Sequence, residues 1–238
     1  MCGGNKVVLP SGGDTEALLA RLRAFFFPDG EGCGRPVRSF RIVEHGEMRM
    51  SPGAKWIPFT AEQVIETARS NCRWEAKIGG SRFGFITVTD AYEETRGRLT
   101  VKLGGVIPTT RLAGPELDRG ELQRYLASLA ICPPILLNNR SLEYTAVGPA
   151  TLRVQDRCGP AEAAVDLELR EEGQPAACRA IRPRLVGKDA VLTPWSATGT
   201  EFREWEGMHV AMRTEAAWEL PEGMFCYYRS DINSLQVR

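Results

Sequence analysis

The chain has 238 residues, 43% hydrophobic and 25% charged, a composition that can bury a core and that argues against disorder. Lys plus Arg is 30 and Asp plus Glu is 30, so the net charge is zero; a nucleic-acid binder needs a basic excess to meet phosphates, and that partner class is set aside. Apolar runs such as Ala24-Phe25-Phe26-Phe27 and Ile135-Leu136-Leu137 are far too short for a transmembrane segment, and Met1 to Lys6 lacks the apolar stretch of a secretory signal.

Residues 1–13 are Gly-rich and read as a loose tail, leaving 14–238 as a single β-rich domain. Asp14 is placed to cap a helix through Phe27, with Leu18, Leu19, Leu22 and Phe26 on one stripe and Pro28-Asp29-Gly30-Glu31-Gly32 as its stop. From Ser39 to Met50, Phe40, Ile42, Gly46, Met48 and Met50 alternate with Arg41, His45, Glu47 and Arg49, the period of a strand; Glu44 breaks the apolar face. Beyond Ser51-Pro52-Gly53, Ile57, Phe59, Ala61 and Ile65 complete a hairpin, with Pro58 suited to an edge or a bulge. Cys72, Trp74, Ala76 and Ile78 continue the alternation. Residues 83–92 and 98–103 add two more strands, so the first half is a meander of about five strands.

One helix interrupts this pattern. Asp118 and Glu121 have capping-box spacing, Leu122, Tyr125, Leu126 and Leu129 share a face, and Cys132-Pro133-Pro134 ends it. Strand patterns return over residues 141–147, 151–156, 163–170, 176–184, 190–195, 201–205, 214–220 and 225–232. Without βαβ alternation, the succession predicts a mainly β chain with minor α: a single large curved antiparallel sheet, a half-open barrel, with a few helices covering its concave face.

Seven cysteines (Cys2, Cys33, Cys72, Cys132, Cys158, Cys178 and Cys226) are scattered, odd in number and without a C-x-x-C pair. That is the pattern of free thiols in a reducing compartment, with the cytoplasm as default. His45 and His209 are distant and no cysteine stands at ligand spacing, so neither a metal nor a cofactor is expected. There is no G-x-S-x-G elbow, and neither Gly12-Gly13 nor Gly104-Gly105 is set between a strand and a helix as a phosphate loop requires.

Several motifs together resemble an uncharacterised bacterial family known only as a domain of unknown function. They are Gly46-Glu47-Met48-Arg49-Met50, then Trp56, Pro58 and Phe59, Trp74, Asp90-Ala91-Tyr92, Arg119 to Leu122, Arg124-Tyr125-Leu126, Thr193-Pro194-Trp195, Gly207 and Trp218 to Gly223. The match runs in order over roughly residues 35–235. Many members of that family carry an N-terminal membrane tether and a Glu and a Trp after R-Y-L-A; this chain departs in both, with Ser128-Leu129-Ala130-Ile131 at the second place. The fold that the resemblance implies is similar to the half-open sheet of lipoprotein carriers of the LolA/LolB-like type, an analogy of fold and not of activity.

Two sets of residues are candidates for function. Polar groups in apolar surroundings are Glu47, Gln63, Asp90, Tyr92, Arg124, Arg182, Arg184, Tyr227, Arg229 and Asp231; Asp90 needs a cation such as Arg124 if it is buried. The second set is Trp56, Trp74, Trp195, Trp205 and Trp218, each a large apolar body with one donor. A curved sheet cannot leave its hollow side wet and apolar, so the expected partner is a hydrophobic or amphipathic small molecule. Trp56, Trp74, Trp195 and Trp218 would contact its apolar part, and Asp90, Tyr92, Arg124, Arg184 and Tyr227 would fix its head. The alternatives are an enzyme with Asp90 or Glu47 as base and Tyr92 or Tyr227 as acid, and a protein-interaction domain using a sheet edge.

Overall fold

The computed structural model describes residues 12–30, 36–81, 84–187 and 189–238. In chain order its elements are α1 (Gly12–Phe26), β1 (Ser39–Met48), β2 (Ile57–Glu66), β3 (Cys72–Ser81), β4 (Gly84–Glu93), β5 (Arg96–Leu103) and β6 (Ile107–Leu112). There follow α2 (Pro115–Ala127), a 3-10 turn (Ser128–Ala130) and α3 (Ile135–Asn138). The second half holds β7 (Glu143–Gly148), β8 (Thr151–Cys158), β9 (Ala161–Leu169), β10 (Pro175–Val186), β11 (Asp189–Trp205), β12 (Met208–Leu220) and β13 (Gly223–Val237).

The strands form one antiparallel sheet in the order β6-β5-β4-β3-β2-β1-β13-β12-β11-β10-β9-β8-β7. Each half of the chain is a plain meander. The two meanders join where β1 pairs with β13, from Phe40 opposite Val237 to Met48 opposite Tyr228. The outermost strands β6 and β7 are consecutive in the chain, so α2, the 3-10 turn and α3 carry the connection across the hollow between them. The sheet does not close into a barrel. Its wings nevertheless meet through side chains. The Tyr92 hydroxyl on β4 donates to the Cys158 carbonyl at the end of β8 at 2.7 Å, buried Ser70 donates to Asp156, and Asn139 donates to Ser70 at 3.2 Å and to the Tyr125 hydroxyl at 3.0 Å.

The alternation of the sequence becomes the core. Phe40, Ile42, Ile65, Cys72, Tyr92, Leu152, Val154 and Val165 point to the concave side, where Leu122, Tyr125, Leu126 and Leu129 cover them. Fully burying such side chains contributes about 1.5–3 kcal/mol each before chain entropy is counted. Prolines stand where ladders stop. Pro58 lies before β3 joins β2 at Phe59, and Pro194 before β12 joins β11 at Trp195. At the β7 edge, the Ala146 N–H donates to the Thr15 hydroxyl of α1 at 2.9 Å, which occupies a group that would otherwise invite another strand.

Some expectations change. Helix α1 already includes Gly12 and Gly13, and residues 1–11 lie outside the described residues. Phe83 and Cys33 lie outside the described residues. Asp118 does not cap α2: Pro115 opens the helix after Gly114 with no side-chain cap. Instead the Asp118 carboxylate accepts the Gly97 N–H at 2.7 Å and an Arg96 N–H at 3.0 Å, tying α2 to β5. Strand β6 had no periodic signal because its residues are exposed from Ile107 to Arg111. The two strands expected at 190–195 and 201–205 are one strand, β11, whose middle reads Ala197-Thr198-Gly199-Thr200 and therefore lacks bulky apolar residues.

Gly97 has a packing reason. A Cβ there would stand 2.6 Å from the Leu117 carbonyl oxygen and 2.8 Å from the Asp118 nitrogen, both backbone atoms of α2. Replacing Gly97→Ala is therefore expected to lower the unfolding free energy by about 1–3 kcal/mol, read from urea denaturation followed by circular dichroism. Unchanged stability would show that α2 does not rest on β5 at this point.

Candidate ligand-binding site

A cavity of about 200 Å³ lies between the concave face and the roof made by the end of α2 and the 3-10 turn. Its floor follows from register. Cys178, Ala197, Ala216, Tyr228 and Met48 stand in one row across β10, β11, β12, β13 and β1, with Gly199 beside Thr214 in the next row. Small residues in that floor leave the volume. A Cβ on Gly199 would stand 3.1 Å from the Cβ of Ala130, so the roof touches the floor there and closes one side. On the other wall Gln63, Trp74 and Asp90 form a row across β2, β3 and β4. The roof contributes Arg124, Ala127, Ser128, Leu129 and Ile131.

Two guanidinium groups lie over two indoles. Arg124 stands 5.1 Å from the Trp74 ring and Arg182 4.5 Å from the Trp195 ring. Arg124 Nη1 donates to Asp90 Oδ2 at 2.8 Å, and Arg182 Nη2 donates to the Gly120 carbonyl at 2.7 Å. Between the arginines sits Glu121, buried, with oxygens 3.7 Å from Arg124 and 3.8 Å from Arg182. Both distances exceed hydrogen-bond reach, and Glu121 Oε2 and Asp90 Oδ1 are buried without a hydrogen-bond partner. Burial above all, and the nearby Asp90 carboxylate next, push the Glu121 carboxyl up to about 8, more than the two arginines pull it down. For Arg124, burial opposes the charge, yet Asp90 and Glu121 outweigh it and keep the guanidinium protonated.

Glu44, the break in the β1 pattern, explains how the aromatic wall is held. The Trp74 indole donates to Glu44 Oε1 at 2.6 Å, the Tyr228 hydroxyl to the same oxygen at 2.8 Å, and Ser230 to Oε2 at 2.8 Å. A buried carboxylate tolerates desolvation when donors surround it, and these donors fix two rings of the cavity. Tyr228 is pushed well above its ordinary pKa by burial first and by Glu44 second, so it remains a neutral donor. On the opposite side the Trp195 indole donates to the Tyr227 hydroxyl at 3.0 Å, and Tyr227 is likewise raised by burial.

Of the residues singled out in the sequence, Trp74, Asp90, Arg124, Trp195 and Tyr227 line the cavity together, with Gln63 and Arg182 from the wider polar set. The others do not. Glu47 faces outward and pairs with Arg229 at 2.6 Å, because it alternates with the inward Glu44 and Met48. Tyr92 is fully buried in the core behind the site. Trp56 is sandwiched between Arg49 (4.6 Å) and Arg229 (4.4 Å) away from the cavity. Trp218 stacks on Tyr227 and backs the wall, while Arg184 lies two residues beyond Arg182 and outside the lining. Sequence reasoning passed over Glu121, hidden in an apparent capping box, and Tyr228, hidden beside Tyr227. The break at Glu44 was visible, but its partners are 30 and more residues away.

Other chemistry finds little support. Among the described residues no group of three or more His, Cys, Asp or Glu is placed to hold a metal ion. Cys72 and Cys178 are buried, and burial raises each thiol to about 12, so they behave as small apolar groups. A second cavity of about 370 Å³ opens on the outer face, lined by Arg119, Arg153, Asp166, Arg179 and Glu219 among others. It is larger but charged, and it suits water better than an apolar ligand.

The raised Glu121 pKa has a sign. Its folded-state value lies above the unfolded value, so its contribution to stability is complete below about pH 4 and is lost as pH rises toward 8, at a slope of at most about 1.4 kcal/mol per pH unit. Glu121→Gln is expected to flatten that decline in urea denaturation compared at about pH 6 and about pH 8. An equal decline in wild type and variant would place the titrating group elsewhere.

Comparison with known proteins follows the fold. The sheet is similar to that of a LolA superfamily protein, NE2245 from Nitrosomonas europaea, with TM-score 0.51, 11% identity and coverage of 94% of this chain and 93% of that one. It is also similar to a DUF1329 family protein from Desulfovibrio piger, with TM-score 0.50, 9% identity and coverage of 94% and 93%. At such identities the likeness is one of fold. No curated protein matches the sequence. Residues 24–230 match the model of a family of unknown function, DUF6544, and the chain belongs to that family.

Proposed function

We propose that the protein binds a hydrophobic or amphipathic small molecule in the cavity under α2. One observation carries this: a hollow of about 200 Å³ with a small-residue apolar floor, two tryptophans on its walls and a cluster of Asp90, Arg124 and Arg182 on one side. An apolar cavity of about 150 Å³ already accepts a benzene-sized molecule. The apolar part of the ligand would lie against Ala197, Ala216, Leu129 and Ile131, and its polar end would meet Arg124 and Arg182. The likeness of fold to a LolA superfamily protein supports the coarse form of this proposal, a curved sheet that shelters a hydrophobic ligand. The acid–base alternative is weaker, since Glu47 and Tyr92 do not reach the cavity and Asp90 is held by Arg124.

A fluorescent apolar probe such as anilinonaphthalene sulfonate tests the proposal. Wild type is expected to bind it saturably. Ala197→Phe, which fills the floor, is expected to weaken binding about tenfold or more, the loss of roughly 1.4 kcal/mol, with the thermal transition retained. No saturable binding by wild type, or equal binding by a folded Ala197→Phe variant, would overturn it.

A further inference from the structure

The side chains that line the cavity under α2 present more unused donors than acceptors. Gln63 is 4% exposed, stands beside Trp74 in the wall, and has no hydrogen-bond partner for its amide among the described residues. Its neighbours on the same inward face of β2 are Ala61 and Ile65, so a polar group stands where the strand pattern calls for an apolar one. Arg182 is 8% exposed; its guanidinium donates through Nη2 to the Gly120 carbonyl, and Nε is buried without a partner. Arg124 has one hydrogen-bond acceptor among the described residues, Asp90. The Tyr227 hydroxyl accepts from the Trp195 indole, and burial keeps it neutral, so it retains a proton to donate. By contrast, the Ser128 and Tyr228 hydroxyls already donate, to the Arg124 carbonyl and to Glu44.

Charge narrows the choice of ligand. The charged residues of the lining are Arg124, Arg182, Asp90 and Glu215. Asp90 is bound to Arg124 at 2.8 Å. Glu215 alternates with the floor residue Ala216, so its side chain turns to the outer face, where it is exposed and stands opposite Arg229. Behind the lining, Glu121 lies 3.8 Å from Arg182, beyond hydrogen-bond reach. The Glu121 and Asp90 carboxyls are within hydrogen-bond range of each other, and each has one buried oxygen without a partner; one proton held between them serves both. Arg182 is then the cation of the lining that no carboxylate contacts.

We propose that the ligand is an amphiphile with a carboxylate head, held by Arg182 and Arg124 with Gln63 and Tyr227 as neutral donors; this rests on the cavity being the binding site. A carboxylate accepts at both oxygens and carries one charge, which suits one guanidinium without a contacting carboxylate. An alcohol would leave buried N–H groups unpaired. An ammonium would bring a like charge and further donors to a wall of donors. A phosphate dianion would take a second charge out of water with no cation left to meet it.

Displacement of the uncharged probe N-phenylnaphthylamine tests the head apart from the cavity. Octanoate is expected to displace the probe from wild type at about one tenth of the concentration that octanol needs, and octylamine and octyl phosphate are expected to do no better than octanol. Arg182→Gln is expected to abolish the preference for octanoate over octanol. Gln63→Leu, which keeps every charge and carries the test should Arg182→Gln unfold, is expected to reduce it about threefold, with probe binding and the thermal transition retained. Equal displacement by octanoate and octanol, stronger displacement by octylamine or octyl phosphate, or an unchanged preference in Gln63→Leu would overturn the carboxylate head and leave the cavity standing. If wild type does not bind the uncharged probe at all, the cavity itself fails as the binding site and the head assignment falls with it.

Discussion

The first and last strands of the sheet pair with each other at its centre, and the rest of the molecule follows from that. Because β1 meets β13, the middle of the chain must travel from one outer edge of the sheet to the other. A straight sheet of this width would put those edges far apart; a curved one brings them within reach of one helix and a short turn. Helix α2 is packed against β5 on one wing and β9 and β10 on the other, so it serves in place of the strand pairing that would close a barrel. The hollow beneath it is a consequence of spanning two wings with a cylinder.

What fills the hollow is decided by which side chains the floor lacks. Ala197, Gly199 and Ala216 come from strands whose neighbours are aromatic, so the walls are bulky and the floor is not. The polar groups are arranged so that each buried charge but one has a close partner: Glu44 has three donors, Asp90 has Arg124, Arg182 has a helix carbonyl. Glu121 is the exception, held near two arginines without contact. Burial pushes that carboxyl toward its neutral form, which leaves Asp90 as the close countercharge of Arg124.

The fold was legible because strand period is a local property. Phe40 and Ile42, or Val154 and Val165, declare their face wherever they occur, and a long succession of such segments without intervening helices leaves few architectures. Legibility failed where local pattern and tertiary role part company. Strand β6 is exposed and shows no period; the middle of β11 is small and polar because it underlies a cavity. Asp118 and Glu121 imitate a cap while one anchors Gly97 and the other enters a charge cluster. Trp56 stands just before β2 and Trp74 within β3, and only the fold sends one to Arg49 and Arg229 and the other to the cavity wall. The ion pair of Asp90 with Arg124 was readable, since a buried carboxylate on a strand face opposite a helix arginine has few other solutions.

The account rests on the hollow being occupied by an apolar molecule. The most direct measurement is native mass spectrometry of the protein purified from cells without delipidation, compared with its denatured mass. A discrete mass increment that disappears on denaturation, and that is diminished in Ala197→Phe, is the predicted result. Identical native and denatured masses across preparations, together with no added mass after incubation with fatty acids or phospholipids, would contradict it.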